Sequence, residues 1–192
     1  MLEDLVRKSR SYRRFVAAEA VPFATLLELV DLARLSPSAA NLQGLKFLVA
    51  DGQPLNDLIF PCLRFAGHLT GWAGPQAHER PAAYILVLGD TRIKQQFNLD
   101  AGIAAQSMML GAAERGLGGC IMSAINREKL TDALNLPEHF EIVLALALGK
   151  PAEKVVLEEL GEGQSIHYYR DAEYVHHVPK RKLEDLLVRP EI

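Results

Sequence analysis

The stretch Asp100-Ala-Gly-Ile-Ala-Ala-Gln-Ser-Met-Met-Leu-Gly-Ala-Ala113 decides the fold. From Ala101 to Ala113 apolar residues occupy nearly every helical face, and alanine and glycine dominate, which is the pattern of a buried helix with close neighbours. Such a helix sits at the centre of a molecule and needs apolar elements around it. Upstream, Ala83 to Leu88 reads as an apolar strand. Downstream, Gly118 to Met122 and Ile142 to Leu148 read as further strands, the latter free of polar residues and so covered on both sides. Asn126 is placed to cap a helix between them.

Working back towards the amino terminus, Lys46 to Ala50 reads as a short strand closed by Asp51 and Gly52, followed by a helix from Leu55 to about Phe65. Pro22 suits a first helical turn, and Phe23, Leu26, Leu27 and Val30 follow at helical spacing until near Leu35. Leu2, Leu5 and Val6 share one face of a short opening helix that ends before the basic run Arg7 to Arg14. Between Gly67 and Pro81 lie three glycines, two prolines and the one tryptophan, Trp72, a composition that predicts a mobile loop and a candidate lid. After Pro151 the pattern loosens through Gly161 and Gly163. The tail from Tyr168 to Ile192 has aromatic and basic residues but no core of its own, so it must dock on something. Helices outnumber strands without strict βαβ alternation, and neither a repeat nor a domain boundary appears. The expectation is α+β, one domain over residues 1–192.

Composition limits the function. With 192 residues, 49% hydrophobic and 23% charged, the chain suits one soluble globular domain. A net charge of -3 argues for neither a nucleic-acid nor a membrane partner, so any basic site is local. Cys62 and Cys120 are too far apart for a metal knuckle or a Cys-x-x-Cys redox pair, which points to a reducing, cytoplasmic setting. The start, Met-Leu-Glu-Asp, has no basic stretch leading into an apolar run, and no segment is long enough for a bilayer span.

Several constellations could carry chemistry. Arg10, Ser11, Arg13 and Arg14 group guanidinium and hydroxyl donors just past a helix, suited to a phosphate, although a solvated basic turn would read the same way. Lys180, Arg181 and Lys182 form a second cluster. An extended tail would put Lys180 and Lys182 on one side, with solvated lysines as the alternative. Pro37-Ser38-Ala39-Ala40-Asn41-Leu42-Gln43 offers a hydroxyl, an amide and small residues that let backbone groups approach a planar ligand; an ordinary helix-terminating loop looks similar. Gly116-Leu117-Gly118-Gly119 precedes a strand where a dinucleotide fingerprint would follow one, which excludes a Rossmann site. The six histidines lack metal-ligand spacing: His176 and His177 are adjacent and point apart in an extended chain. Cys120 reads as a buried small hydrophobe, and no nucleophile elbow occurs.

Together, Ser9-Arg10-Ser11-Tyr12-Arg13-Arg14-Phe15, Pro37 to Gln43, Asp100, Gly116 to Cys120, Leu136-Pro137-Glu138 and Pro179-Lys180-Arg181-Lys182 resemble the flavin-dependent nitroreductase family in order and spacing over nearly the whole chain. The resemblance implies an α+β sandwich with a mostly antiparallel central sheet flanked by helices. It also implies an intertwined homodimer with FMN at the interface and residues 165–192 docking on the dimer. It assigns Arg10, Ser11 and Arg13 to the phosphate and the pyrimidine side of the ring, with Lys180 and Lys182 from the tail. Pro37, Ser38, Ala39 and Asn41 would come from the partner chain. Met122, Ser123 and Ala124, after Ile121, would lie beside the ring, with a backbone N–H near flavin N5. Two departures stand out: Ser9 replaces the family's first arginine, and Gly44-Leu45 replaces its usual Pro-Trp. The segment Phe60 to Pro81 has no match to the substrate-capping helices of nitroaromatic reductases.

The activity implied is transfer of two electrons from NADH or NADPH through flavin to a small organic acceptor, nitro, quinone, enone or related, by a ping-pong cycle. A flavin-binding protein without turnover, an enzyme that oxidises or consumes its own flavin or a bound ring compound, and a flavin-free phosphate-binding module are the other readings. They differ in colour, oxygen uptake and nicotinamide oxidation.

Overall fold

The structure is a computed structural model that describes residues 1–69 and 71–190. Four strands, β1 (Leu45–Ala50), β2 (Ala83–Asp90), β3 (Gly118–Met122) and β4 (Phe140–Gly149), form one sheet in the order β1-β2-β4-β3, with every pairing antiparallel. Every residue of β2 is buried, because helices cover both faces. Side-chain alternation divides the core. Ile85 and Val87 face α2 (Phe23–Leu35) and α4 (Asn98–Glu114), while Tyr84, Leu86 and Leu88 face α3 (Leu55–Ile59) and α5 (Arg127–Leu134). A short helix α1 (Leu2–Lys8) precedes them.

The central helix is where the alanine-rich stretch predicts it. Ala101, Ala104, Ala105, Met108 and Ala112 of α4 are buried, and Gly111 lets Leu29 and Leu32 of α2 approach its backbone. Asn126 caps α5, its Oδ1 accepting from Lys129 N at 3.2 Å. Leu26, Leu29 and Ala33 are the buried positions of α2, whereas Phe23 and Leu27 remain exposed. No helix among the described residues is long and apolar enough to cross a membrane.

Four expectations are corrected. Helix α1 runs on through Arg7 and Lys8, two cations that suit its carboxyl-terminal turn. The helix expected to reach Phe65 stops at Ile59 and continues only as a 3-10 turn, Phe60–Cys62, because Pro61 has no N–H to donate. Among the described residues from Gly67 to Pro81 the one regular element is a 3-10 turn, Ala77–Glu79, and the segment is partly packed rather than free. Gly74, Pro75 and Glu79 are buried, and the Arg170 guanidinium lies 4.3 Å from the Trp72 ring centroid. The tail does have a framework. β5 (Val155–Glu159) pairs in parallel with β7 (His176–Lys180), which pairs antiparallel with β6 (Tyr169–Arg170), and His176 is buried beneath them. β7 ends at Lys180, so the alternation cannot be carried to Lys182.

Candidate functional site

The opening basic motif runs alongside β3. Tyr12 N donates to Gly119 O at 2.9 Å and Ser11 bridges Gly119 in parallel near the start of β3, with the Ser11 side chain exposed. Gly118 is required by this approach, since a Cβ there would lie 2.6 Å from Tyr12 Cδ2, and Gly119 by the packing of α4, since a Cβ there would lie 2.7 Å from Met109 Sδ and 3.0 Å from Ala147 O.

Arg10 and Arg13 differ from the other arginines of this region. Arg14 Nε donates to Glu79 Oε1 at 2.6 Å and Arg170 Nη2 to Glu153 Oε2 at 2.7 Å. Among the described residues, no carboxylate lies within ion-pair distance of Arg10 or Arg13. Arg10 Nη2 donates to Val6 O at 2.6 Å, but its Nε is buried without a partner, and burial pulls its pKa down. A desolvated cation with an idle donor is costly unless an anion completes it. Arg13, 9% exposed, is held under the tail: its Nη1 donates to His176 Nε2 at 3.0 Å, and the Tyr168 ring centroid lies 4.5 Å from its guanidinium carbon.

Lys180 and Lys182 are exposed, and β7 ties the first of them to the same strand as His176. At the far end of β3 the side chain of Met122 turns into the core, while Ser123 and Ala124 are exposed. Their carbonyls are engaged, Ala124 O by Arg64 N and Ser123 O by Ile125 N, each at 3.0 Å. Their N–H groups donate to no described residue and so are open to a ligand.

The second half of the predicted site is anchored elsewhere. Asp100, 2% exposed, accepts from Ser38 Oγ and Ala39 N at 3.0 Å each and from Lys94 Nζ at 2.8 Å. Burial works against its charge, but these three donors hold its pKa below the ordinary carboxylate range. The loop between is wound into left-handed backbone at Ala40, Asn41 and Gln43, with φ of 51°, 55° and 53°. Three such non-glycine residues in a row of four store strain, which collects at ligand-binding loops. Pro37, Ala39 and Asn41 are exposed, whereas the Ser38 hydroxyl also accepts from Gln43 N at 3.1 Å and is largely committed within the loop. A cavity of 240 Å³ between α2, β1 and α4 opens against Pro37, Ser38 and Gln43.

The structure thus brings Arg10, Ser11 and Arg13 to β3 and the tail, and gathers Pro37 to Asn41 on Asp100. It does not bring the two groups together. Asp100 and Met109, which neighbours Gly119, are about 14 Å apart along α4 at 1.5 Å per residue. Sequence reasoning missed Glu153, Tyr168 and His176 as partners of the basic motif. It quoted Asp100 without its anchoring role, for which an acid in the first turn of a helix was the available signal.

Comparison with known proteins agrees with this architecture. The structure of a nitroreductase family protein from Clostridium novyi NT superimposes with a TM-score of 0.67 at 22% identity, covering 93% of this chain and 94% of that one, which establishes the fold. The Bacillus subtilis (strain 168) protein MhqN, an NAD(P)H nitroreductase by name, is 25% identical over 178 residues, 76% of this chain and 86% of that protein. A 4-nitrobenzoate reductase of Pseudomonas putida is 26% identical over 204 residues, 82% of this chain and 88% of its own length. The sequence profile described as the nitroreductase family matches residues 6–150, and with the fold and motif placement above, the chain belongs to that family.

Proposed function

We propose that the protein is an FMN-dependent NAD(P)H oxidoreductase that reduces a small organic acceptor, nitro, quinone, enone or related. The observation that carries this is the pair Arg10 and Arg13, withdrawn from solvent and, among the described residues, matched by no carboxylate, on a chain whose Ser123 and Ala124 N–H groups are left free at the far end of β3. Arg10 Nε and the Ser11 hydroxyl, with Lys180 and Lys182, are the donors for a phosphate. Arg13 is placed for the pyrimidine edge of the ring.

FMN, when bound, would supply two-electron hydride chemistry between NADH or NADPH and the acceptor. The chain's own part is to hold and tune. The N–H groups of Ser123 and Ala124 stand free for the N5 side of the ring, and the uncancelled cation of Arg13 stabilises negative charge at the N1 and C2 carbonyl edge. Burial pushes the Cys120 thiol up in pKa, so it stays protonated and takes no part as a nucleophile. Protons for the acceptor come from solvent.

Because the two halves are offset along α4, one subunit does not complete the site alone. A two-fold related copy brings the Asp100-anchored loop, with Pro37, Ser38, Ala39 and Asn41, to the motif of its partner. The exposed face of α4 with Leu99, Gly102 and Gln106 is available for that pairing.

The test is the visible spectrum of the purified protein, followed by anaerobic addition of NADH and, separately, NADPH. A yellow protein that bleaches with either donor and recolours on adding a quinone or nitro compound is the expected result. A protein that carries no FMN and takes none up overturns the proposal.

A further inference from the structure

Arg13 is a buried cation whose position is set from the far end of the chain. Glu153, with its side chain fully buried at 0% exposure, accepts Arg13 N at 2.5 Å and Arg14 N at 3.2 Å on Oε1, and Arg170 Nη2 at 2.7 Å on Oε2. Its negative charge is therefore matched to Arg170 and to two backbone dipoles, and leaves the Arg13 guanidinium uncancelled. That guanidinium is held instead by neutral groups: Ser11 O at 3.3 Å, the face of Tyr168, and His176 Nε2 at 3.0 Å.

The contact with His176 fixes the state of the imidazole. Arginine has donors only, so the nitrogen facing it must offer a lone pair, which makes His176 neutral with its proton on Nδ1. The same state follows from its surroundings. His176 is 1% exposed, and burial, with the charges of Arg13, Arg170 and His177, pushes its pKa down to about 4. A neutral acceptor orients a guanidinium without cancelling its charge. A carboxylate in its place, as Glu79 is for Arg14, would orient it and neutralise it together.

We propose that His176 is a positioning residue of the flavin site: its bare Nε2 aims Arg13 while leaving the whole positive charge to face the pyrimidine edge of the ring. This rests on the reading of the chain as an FMN enzyme. The tail then contributes to the electronics of the site as well as to phosphate binding, through the Tyr168 ring on the face of one guanidinium and His176 at its Nη1.

Three variants separate orientation from charge. His176→Gln keeps a neutral acceptor, His176→Phe removes it, and His176→Glu replaces it with an anion. The readouts are the affinity for oxidised FMN and the midpoint potential of the bound flavin in the purified holoprotein. The preference for reduced over oxidised FMN is expected to fall at least tenfold in His176→Glu, which is about 30 mV for a two-electron couple. It should fall in His176→Phe as well and stay within threefold of wild type in His176→Gln. In the apoprotein, 15N chemical shifts of the ring should show a neutral imidazole protonated on Nδ1 at pH 6, a measurement that needs no variant. Equal potentials in all three variants while Arg13→Ala shifts the potential, or a charged His176 ring at pH 6, overturn this inference and leave the enzyme reading intact. Wild-type protein that binds no FMN overturns both.

Discussion

Ser38 and Asp100, one on the loop after α2 and the other in the first turn of α4, are joined by a hydrogen bond of 3.0 Å from Ser38 Oγ to Asp100 Oδ2. Lys94, only 11% exposed, completes the charge balance at 2.8 Å. Replacing Asp100 with alanine leaves that ammonium buried and unpaired and frees a strained loop, so Asp100→Ala is expected to cost about 3 kcal/mol in urea denaturation. The folded-state pKa of Asp100 is depressed. Its contribution is therefore present above the unfolded value near 4 and lost as pH falls through the lower folded value, so the difference between wild type and Asp100→Ala should shrink in acid.

Arg10 is expected to behave in the opposite way. Its Nε is buried without a partner, so Arg10→Ala should leave the apoprotein within about 0.5 kcal/mol of wild type, the range of a neutral surface change. Affinity for FMN should fall at least tenfold, a loss of about 1.4 kcal/mol. Inorganic phosphate should raise the melting temperature of the wild type and not of the variant. Differential scanning fluorimetry with and without ligand reads all three.

Gly119 sits where the opening motif, β3 and α4 meet. An added Cβ meets Met109 Sδ at 2.7 Å and Leu148 Cδ2 at 2.8 Å, so Gly119→Ala should overpack the interface and cost about 1–3 kcal/mol. Because Tyr12 N is bonded to Gly119 O, the same change should displace Ser11 and weaken FMN binding, which a fluorescence-quenching titration would detect.

A second histidine gives the tail a pH dependence of its own. His177 Nε2 lies 3.0 Å from Asp171 Oδ2, its Nδ1 meets Glu158 Oε1, and Tyr169 stacks on it at 4.7 Å. The hydrogen bonds to Asp171 and then to Glu158 raise its pKa, and the same histidine depresses that of Asp171. The raised histidine stabilises fully below its unfolded value near 6.5 and loses that contribution as pH rises through its folded value. The depressed aspartate contributes above about 4. Thermal melts of wild type and His177→Gln should therefore differ most between about pH 4 and 6.5 and converge in alkaline buffer.

Pairing of two copies is tested on α4. Gly102 is exposed, and a Cβ there meets nothing within 4 Å, so Gly102→Arg places its side chain from an uncrowded position on the outer face of α4. It should give a monomer in sedimentation velocity and reduce FMN retention, since each site then lacks the loop of the other copy. An FMN-loaded monomer would reject the shared site.

The sequence made the centre of the fold legible and its edges much less so. Helix α4 and strands β2 and β4 announce themselves because burial on every side demands unbroken apolar composition, a property of the segment alone. The Asn126 cap is local in the same sense. The tail sheet was not legible, since β6 has two residues and β7 is recognised only by its pairing with β5 and β6. Of the candidate site, Arg10, Ser11 and the loop residues Ala39 and Asn41 are marked by motif in the sequence, and the structure leaves Ser11, Ala39 and Asn41 exposed. The partners that fix the motif were not. Glu153 and His176 stand 140 and 163 residues from Arg13, and single residues at such separations carry no periodic signal. Met122 shows the converse: the family resemblance would put its segment beside the ring, and strand alternation turns its side chain into the core.

The ties from Arg13 to Glu153 and His176 also make the chain informative to cut. The guanidinium and the groups that orient it stand 140 and 163 residues apart, so the two can be separated by a stop codon. A chain ended just after Pro151 would retain all four strands of the central sheet and leave Arg13 with neither Glu153 nor His176 to direct it.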